Sequence, residues 1–225
     1  MTNRICFIGN PWPEGHRVEK AVWDGRLRGD GTLWFDLHLE SADYCDGDSE
    51  DLDDAEDDDG DWTSKIVWSN YGRCKISSTD WHFGGWQVGS PSAKFEWNDW
   101  QRREIHLDPA DESLPENQDY SERAFHIYLL GHDAVADHHI SFEALQGNWT
   151  ISWKGKIALA YTGNYELKYH FATLLDKISF GGFNVPSQLN DEQAWNLFGN
   201  AVSKADEWQF VVDQNRRRFI GRVAN

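Results

Sequence analysis

Two stretches of this 225-residue chain concentrate side chains able to do chemistry. The first reads Gly131-His132-Asp133-Ala134-Val135-Ala136-Asp137-His138-His139. Imidazole and carboxylate together suit zinc, iron or manganese. On an extended chain His132 and Asp133 face opposite ways, as do His138 and His139, so only a loop between strands brings three of them onto one ion. The metal candidates are His132, Asp133, His138 and His139, with Asp137 as a base and His126 and His170 approaching from neighbouring strands. The spacing is not H-E-x-x-H or another specific ligand set, and a polar turn after an apolar strand accounts for the same residues. No cofactor is therefore expected, a divalent metal ion at this run being the alternative.

The second stretch is Asp46–Asp61, DGDSEDLDDAEDDDGD, with 11 carboxylates and no cation. It accounts for the difference between the chain's formal charge of −17 and the −6 of everything else. Such a run is a solvated, self-repelling loop, a cation site or a docking surface for a basic protein. Its opening loosely resembles the start of an EF-hand loop. Asp51 and Asp57 stand where that loop needs Gly at position six and Glu at position twelve, which argues against calcium. As a docking surface the residues of interest are Asp53, Asp54, Asp57, Asp58, Asp59 and Asp61, with Trp62 as an aromatic anchor.

Other chemical signatures are missing. The chain has no phosphate-binding G-x-x-x-x-G-K-[ST], no dinucleotide-binding glycine fingerprint and no G-x-S-x-G elbow. The three cysteines, Cys6, Cys45 and Cys74, are isolated and odd in number, which fits a reducing cytosol better than a disulfide framework. Lys75 beside Cys74 would favour a thiolate, but a lone cysteine with no local histidine reads as packing. No secretory signal opens the chain, and no apolar stretch approaches the roughly 20 residues of a bilayer span. Arg216-Arg217-Arg218 is the one basic run.

These residues need a scaffold, and period-two alternation supplies it. Leu33, Phe35, Leu37 and Leu39 alternate with Trp34, Asp36, His38 and Glu40, after a turn at Gly29-Asp30-Gly31 and a strand at Val18–Asp24. Ile140 and Phe142, then Trp149, Ile151 and Trp153, then Ile157, Leu159 and Tyr161, then Leu167, Tyr169 and Phe171 read as an antiparallel meander. Further strands are expected at Arg4–Ile8, Ser64–Ser69, Trp81–Val88, Lys94–Trp97, Arg103–Leu107 and Ala124–Leu130, and a terminal hairpin at Trp208–Val212 and Arg218–Val223. One helix is expected after Asn190, whose capping box with Gln193 precedes Ala194, Leu197, Phe198, Ala201 and Val202 at helical spacing.

The fold class expected is mainly β, an antiparallel β-sandwich or barrel-like meander with one short C-terminal helix. Residues 1–225 read as a single domain with long acidic loops at 46–61 and 108–122. Thirteen tryptophans pack such a core or serve as anchors or stacking platforms. The negative balance disfavours nucleic acid and anionic membrane and favours a basic protein partner. The function expected is a cytoplasmic, non-catalytic protein binder, an immunity-type inhibitor of a basic toxin or nuclease. The alternatives are a metal-dependent enzyme using the histidine run, or a Trp-lined carbohydrate- or ligand-binding module.

Overall fold

The computed structural model describes residues 2–45, 60–116, 120–145, 148–213 and 216–222. The strands are β1 (Arg4–Phe7), β2 (His16–Leu27), β3 (Leu33–Ser41), β4 (Lys75–Ser77), β5 (Trp86–Gly89), β6 (Arg102–Leu107) and β7 (His126–Tyr128) in the first part of the chain. They continue as β8 (Ala134–Leu145), β9 (Asn148–Ala158), β10 (Tyr169–Ile178), β11 (Phe180–Asn184), β12 (Trp208–Asp213) and β13 (Arg216–Gly221). Among the described residues two α-helices accompany them, α1 (Lys65–Ser69) and α2 (Asp191–Ala201).

The expected β architecture is present as a curled half-barrel, mostly antiparallel. Its main path runs β12-β13-β11-β2-β1-β10-β9-β8-β6, and β3 extends it from β2 towards β4 and β5. The pairing of β11 with β2 is parallel. The β2–β3 hairpin follows directly from the alternation. Leu33, Phe35, Leu37 and Leu39 are all fully buried. The opposite face of β3 is more covered than a half-buried strand would be, because β3 is flanked by β2 on one side and by β4 and β5 on the other. Asp36 and His38 are consequently buried too.

Five expected strands come out differently. Ile157, Leu159 and Tyr161 form no strand of their own, because β9 runs through Gly155 to Ala158 and a 3₁₀ turn takes Ala160–Thr162. Ser64–Ser69 is helical: the Ser64 hydroxyl accepts the Val67 N–H as an N-cap, and one turn drops Trp68 into the core. Within Trp81–Val88 only the final residues pair, because Gly84 and Gly85 bend the chain. Gly85 has φ 77°, and a Cβ there would lie 2.4 Å from the Phe35 carbonyl oxygen, so glycine alone allows this approach. Lys94–Trp97 contributes a single bridge, Phe95 with Val202, before a 3₁₀ turn over Trp97–Trp100. Ala124–Leu130 is largely buried, with His126 and Tyr128 half-buried, but pairs only over β7.

The core is aromatic. Trp23 contacts Phe35, Trp97, Phe142, Trp149 and Phe180 with ring centroids 5.0–5.9 Å apart, stacked on Trp97 and tilted or edge-on to the other four, as ring quadrupoles favour. Helix α2 seals one side through Ala194, Phe198 and Ala201, with its capping box formed between Asn190 and Gln193. The segment from Asp108 also packs. Leu114 joins Ala134, Ala136, Ala158 and Leu167 in a second small cluster, tied by Leu114 N–H to the Tyr165 carbonyl at 2.8 Å. Among the described residues no helix is long and apolar enough to cross a membrane.

Candidate functional site

The chain just before the acidic run and the chain at its end meet in one aromatic collar. Past β3, the Tyr44 N–H donates to the Gly72 carbonyl at 2.6 Å, and the Tyr44 hydroxyl donates to the Leu129 carbonyl at 3.2 Å. On the return side, Trp62 Nε1 donates to the Ile8 carbonyl at 3.0 Å. Trp68 lies between the two ends, its ring 4.9 Å from Tyr44 and 5.2 Å from Trp62. Asp61 is exposed at the rim. Asp53, Asp54, Asp57, Asp58 and Asp59 lie outside the described residues. Trp62, expected as a surface anchor, is only 3% exposed. It stacks on Tyr169 at 4.1 Å, because its large apolar surface is better covered inside the collar than displayed.

The histidine run is dispersed by its own backbone. Asp133 turns back to accept the Leu130 N–H at 2.9 Å and the Tyr161 N–H at 3.4 Å, while burial pushes its carboxyl above the usual range. His132 is exposed, with its ring edge-on to Tyr128. On β8, His138 points inward with Ile140 and Phe142 and is fully buried. Its Nδ1 accepts the Trp153 Nε1–H at 3.2 Å, which places the ring proton on Nε2, 3.9 Å from the Asp108 carboxylate. Desolvation, with Arg123 adding to it, pushes His138 down to about 3.

Asp137 does not follow the strand alternation. The register of β8 against β9 slips by one residue between Ala136 and His139, a β-bulge, and Asp137 takes φ 54°. The bulge aims its carboxylate outward, where Oδ1 lies 2.7 Å from His106 Nε2 and 3.6 Å from His139 Nε2. Lys156 Nζ binds the other oxygen at 2.8 Å. His106 on β6 stands directly opposite His139 on β8, their rings stacked at 4.2 Å. Burial alone would raise the Asp137 carboxyl, but hydrogen bonds from Lys156 and His106 outweigh it and hold it below the usual range. Among the described residues, His106, Asp137 and His139 form the group whose ligand atoms all lie within 4.8 Å of one another. Of the four metal candidates in the sequence, only His139 belongs to it. His106 was hidden because its partnership depends on the β6–β8 register, which no local pattern reveals.

Three further features bear on function. A cleft of about 810 Å³ has Trp97, Trp149, Phe180 and Trp208 on its walls and Asn98 and Arg222 among its polar groups. Trp34, on the outer face of β3, is covered by two guanidinium groups, with Arg26 5.4 Å and Arg28 5.1 Å from its ring. Cys74 is buried, and desolvation drives its thiol well above the ordinary value, which fits packing rather than a thiolate. Comparison with protein-family models, with curated proteins and with solved structures finds no match.

Proposed function

We propose that the protein is a non-catalytic binder of a basic protein, of the immunity type that neutralises a cationic toxin or nuclease. The observation that carries this reading is the placement of charge. Eleven carboxylates without a single cation occupy Asp46–Asp61, between two chain ends fixed on Trp68. Several cations elsewhere have acidic partners. Arg73 lies 3.1 Å from Glu19 and 3.2 Å from Glu40, Arg217 lies 2.7 Å from Asp191, and Arg218 lies 3.8 Å from Asp213. Two members of the Arg216–Arg218 run are thus partly neutralised, and the sequence concentrates its excess negative charge in the acidic segment. Such a field steers a basic partner and pairs with its Arg and Lys side chains.

The test is capture from a cell extract at low salt, with the native chain compared against a variant carrying Asn at positions 53, 54, 57, 58, 59 and 61. The native chain should retain a basic protein that the variant loses. Retention of the same proteins by both excludes the acidic segment as the docking surface.

A second reading rests on the Trp97–Trp149–Phe180–Trp208 cleft, whose volume suits a small ligand and whose aromatic walls suit stacking. A sugar-like ligand should quench or shift tryptophan emission, and Trp97→Ala should abolish the change. A panel of saccharides that leaves the emission constant removes this reading.

A further inference from the structure

We propose that His106, Asp137 and His139 form a binding site for a divalent transition-metal ion of the zinc class, on the outer face of the β6–β8 ladder. The donor set is two imidazoles and one carboxylate, borderline-soft nitrogen with hard oxygen, which suits zinc better than calcium or magnesium. The positions suit it as well. His106 and His139 occupy opposed cross-strand sites, so the sheet fixes their separation without a long loop. Their stacked rings, 17° from parallel, present Nε2 atoms towards the same carboxylate oxygen. Tetrahedral zinc with bonds near 2.05 Å sets its ligand atoms about 3.3 Å apart. The Asp137 Oδ1 to His139 Nε2 distance of 3.6 Å is close to that, and the 2.7 Å contact to His106 is a hydrogen bond that an ion would replace.

Two supporting features belong to the surrounding chain. The bulge at Asp137 costs the strand a regular residue and a left-handed backbone, and its effect is to turn this carboxylate out between the two histidines. Lys156 holds Oδ2 at 2.8 Å and leaves Oδ1 to bind as a single ligand, in the manner of an outer-shell partner. Three protein ligands leave a fourth position open to solvent or to a group carried by another molecule. Lys154, opposite His139 on β9, adds positive charge nearby and limits the affinity.

The experiment is titration of the full chain with zinc chloride against a chromogenic chelator, repeated on four variants. One zinc ion per chain is expected. His106→Ala, His139→Ala and Asp137→Asn should each weaken it by ~tenfold or more, equivalent to ~1.4 kcal/mol. His132→Ala should leave it unchanged. Both histidines are exposed, and asparagine tolerates the left-handed backbone at 137, so these variants keep the fold, which thermal unfolding without zinc verifies. The absence of stoichiometric zinc, or an affinity in His106→Ala and His139→Ala unchanged from the native chain, overturns the site. An effect of His132→Ala equal to theirs overturns it too. The proposal stands apart from the acidic segment, and the six-asparagine chain should bind this ion as the native chain does.

Discussion

Trp68 Nε1 donates to the Trp62 carbonyl at 2.9 Å, while the two indoles meet nearly edge-on at 5.2 Å. This pair closes the return end of the acidic segment onto the core. Tyr44 meets the same Trp68 ring at the departing end. Eleven like charges repel one another, and their linkage to the fold has to withstand that repulsion. A collar of three large aromatics, each hydrogen-bonded to backbone, provides it.

The collar is testable by truncation. Trp68 is fully buried, so Trp68→Ala removes a large ring from the centre of the collar. It should cost about 3–5 kcal/mol in denaturant unfolding. A loss below ~1 kcal/mol would show that the chain ends are held by other contacts.

A buried ion pair sets a second prediction. Arg26 binds Asp36 and the Gly84 carbonyl through its two terminal nitrogens, and the Ser78 hydroxyl donates to the same carboxylate oxygen at 3.3 Å. Desolvation pushes Asp36 up to about 6, against the opposing pull of Arg26. Arg26→Ala leaves this carboxylate buried without its cation and should destabilise by about 3–5 kcal/mol at pH 8. A folded-state value above the unfolded one means that the penalty belongs to the charged form. Loss of Arg26 raises the carboxyl further above 6, so the penalty should shrink as the pH falls from 8 towards 6 and be largely gone by pH 5. A penalty constant between pH 8 and pH 5 would contradict this account.

His138 gives the opposite slope. Its folded-state value near 3 lies below the ordinary 6.5, so its contribution is fully present above pH 6.5 and is lost as the pH falls through the folded value. The unfolded chain takes up a proton there that the folded chain refuses. Between pH 7 and pH 4 this single site should remove ~3 kcal/mol of stability. His138→Gln, which keeps an acceptor for the Trp153 indole, should flatten the stability–pH curve over that window relative to the native chain. Parallel curves would show that His138 is protonated inside the fold.

How much of this was legible in the sequence varies with how local each determinant is. The β2–β3 hairpin was readable because Leu33, Phe35, Leu37 and Leu39 alternate against polar neighbours, and α2 because Asn190 and Gln193 announce its start. Helix α1 lies where the sequence predicts a strand, since Ile66-Val67-Trp68 has strand-like residues and the Ser64 cap is a weaker signal. Expected strands at Trp81–Val88 and Lys94–Trp97 shortened where glycine and a 3₁₀ turn intervened. The histidine cluster was half visible. The sequence picked out His139, but its partnership with His106 and Asp137 depends on a strand register and a bulge, both of which are set by tertiary pairing. Trp62 adjoins the acidic run in sequence, and only the fold shows that its ring turns into the collar.

The central claim is that the carboxylates of Asp46–Asp61 steer a basic partner. Its most direct measurement is the association rate constant of the captured partner as a function of ionic strength, for the native chain and for the variant with asparagine at positions 53, 54, 57, 58, 59 and 61. The native rate should fall steeply, by ~tenfold or more, as salt rises from low to physiological strength, because exposed charges are screened beyond about 8 Å there. The variant should associate more slowly at low salt and show a nearly flat dependence. Equal rates and equal salt slopes for the two chains would contradict the account.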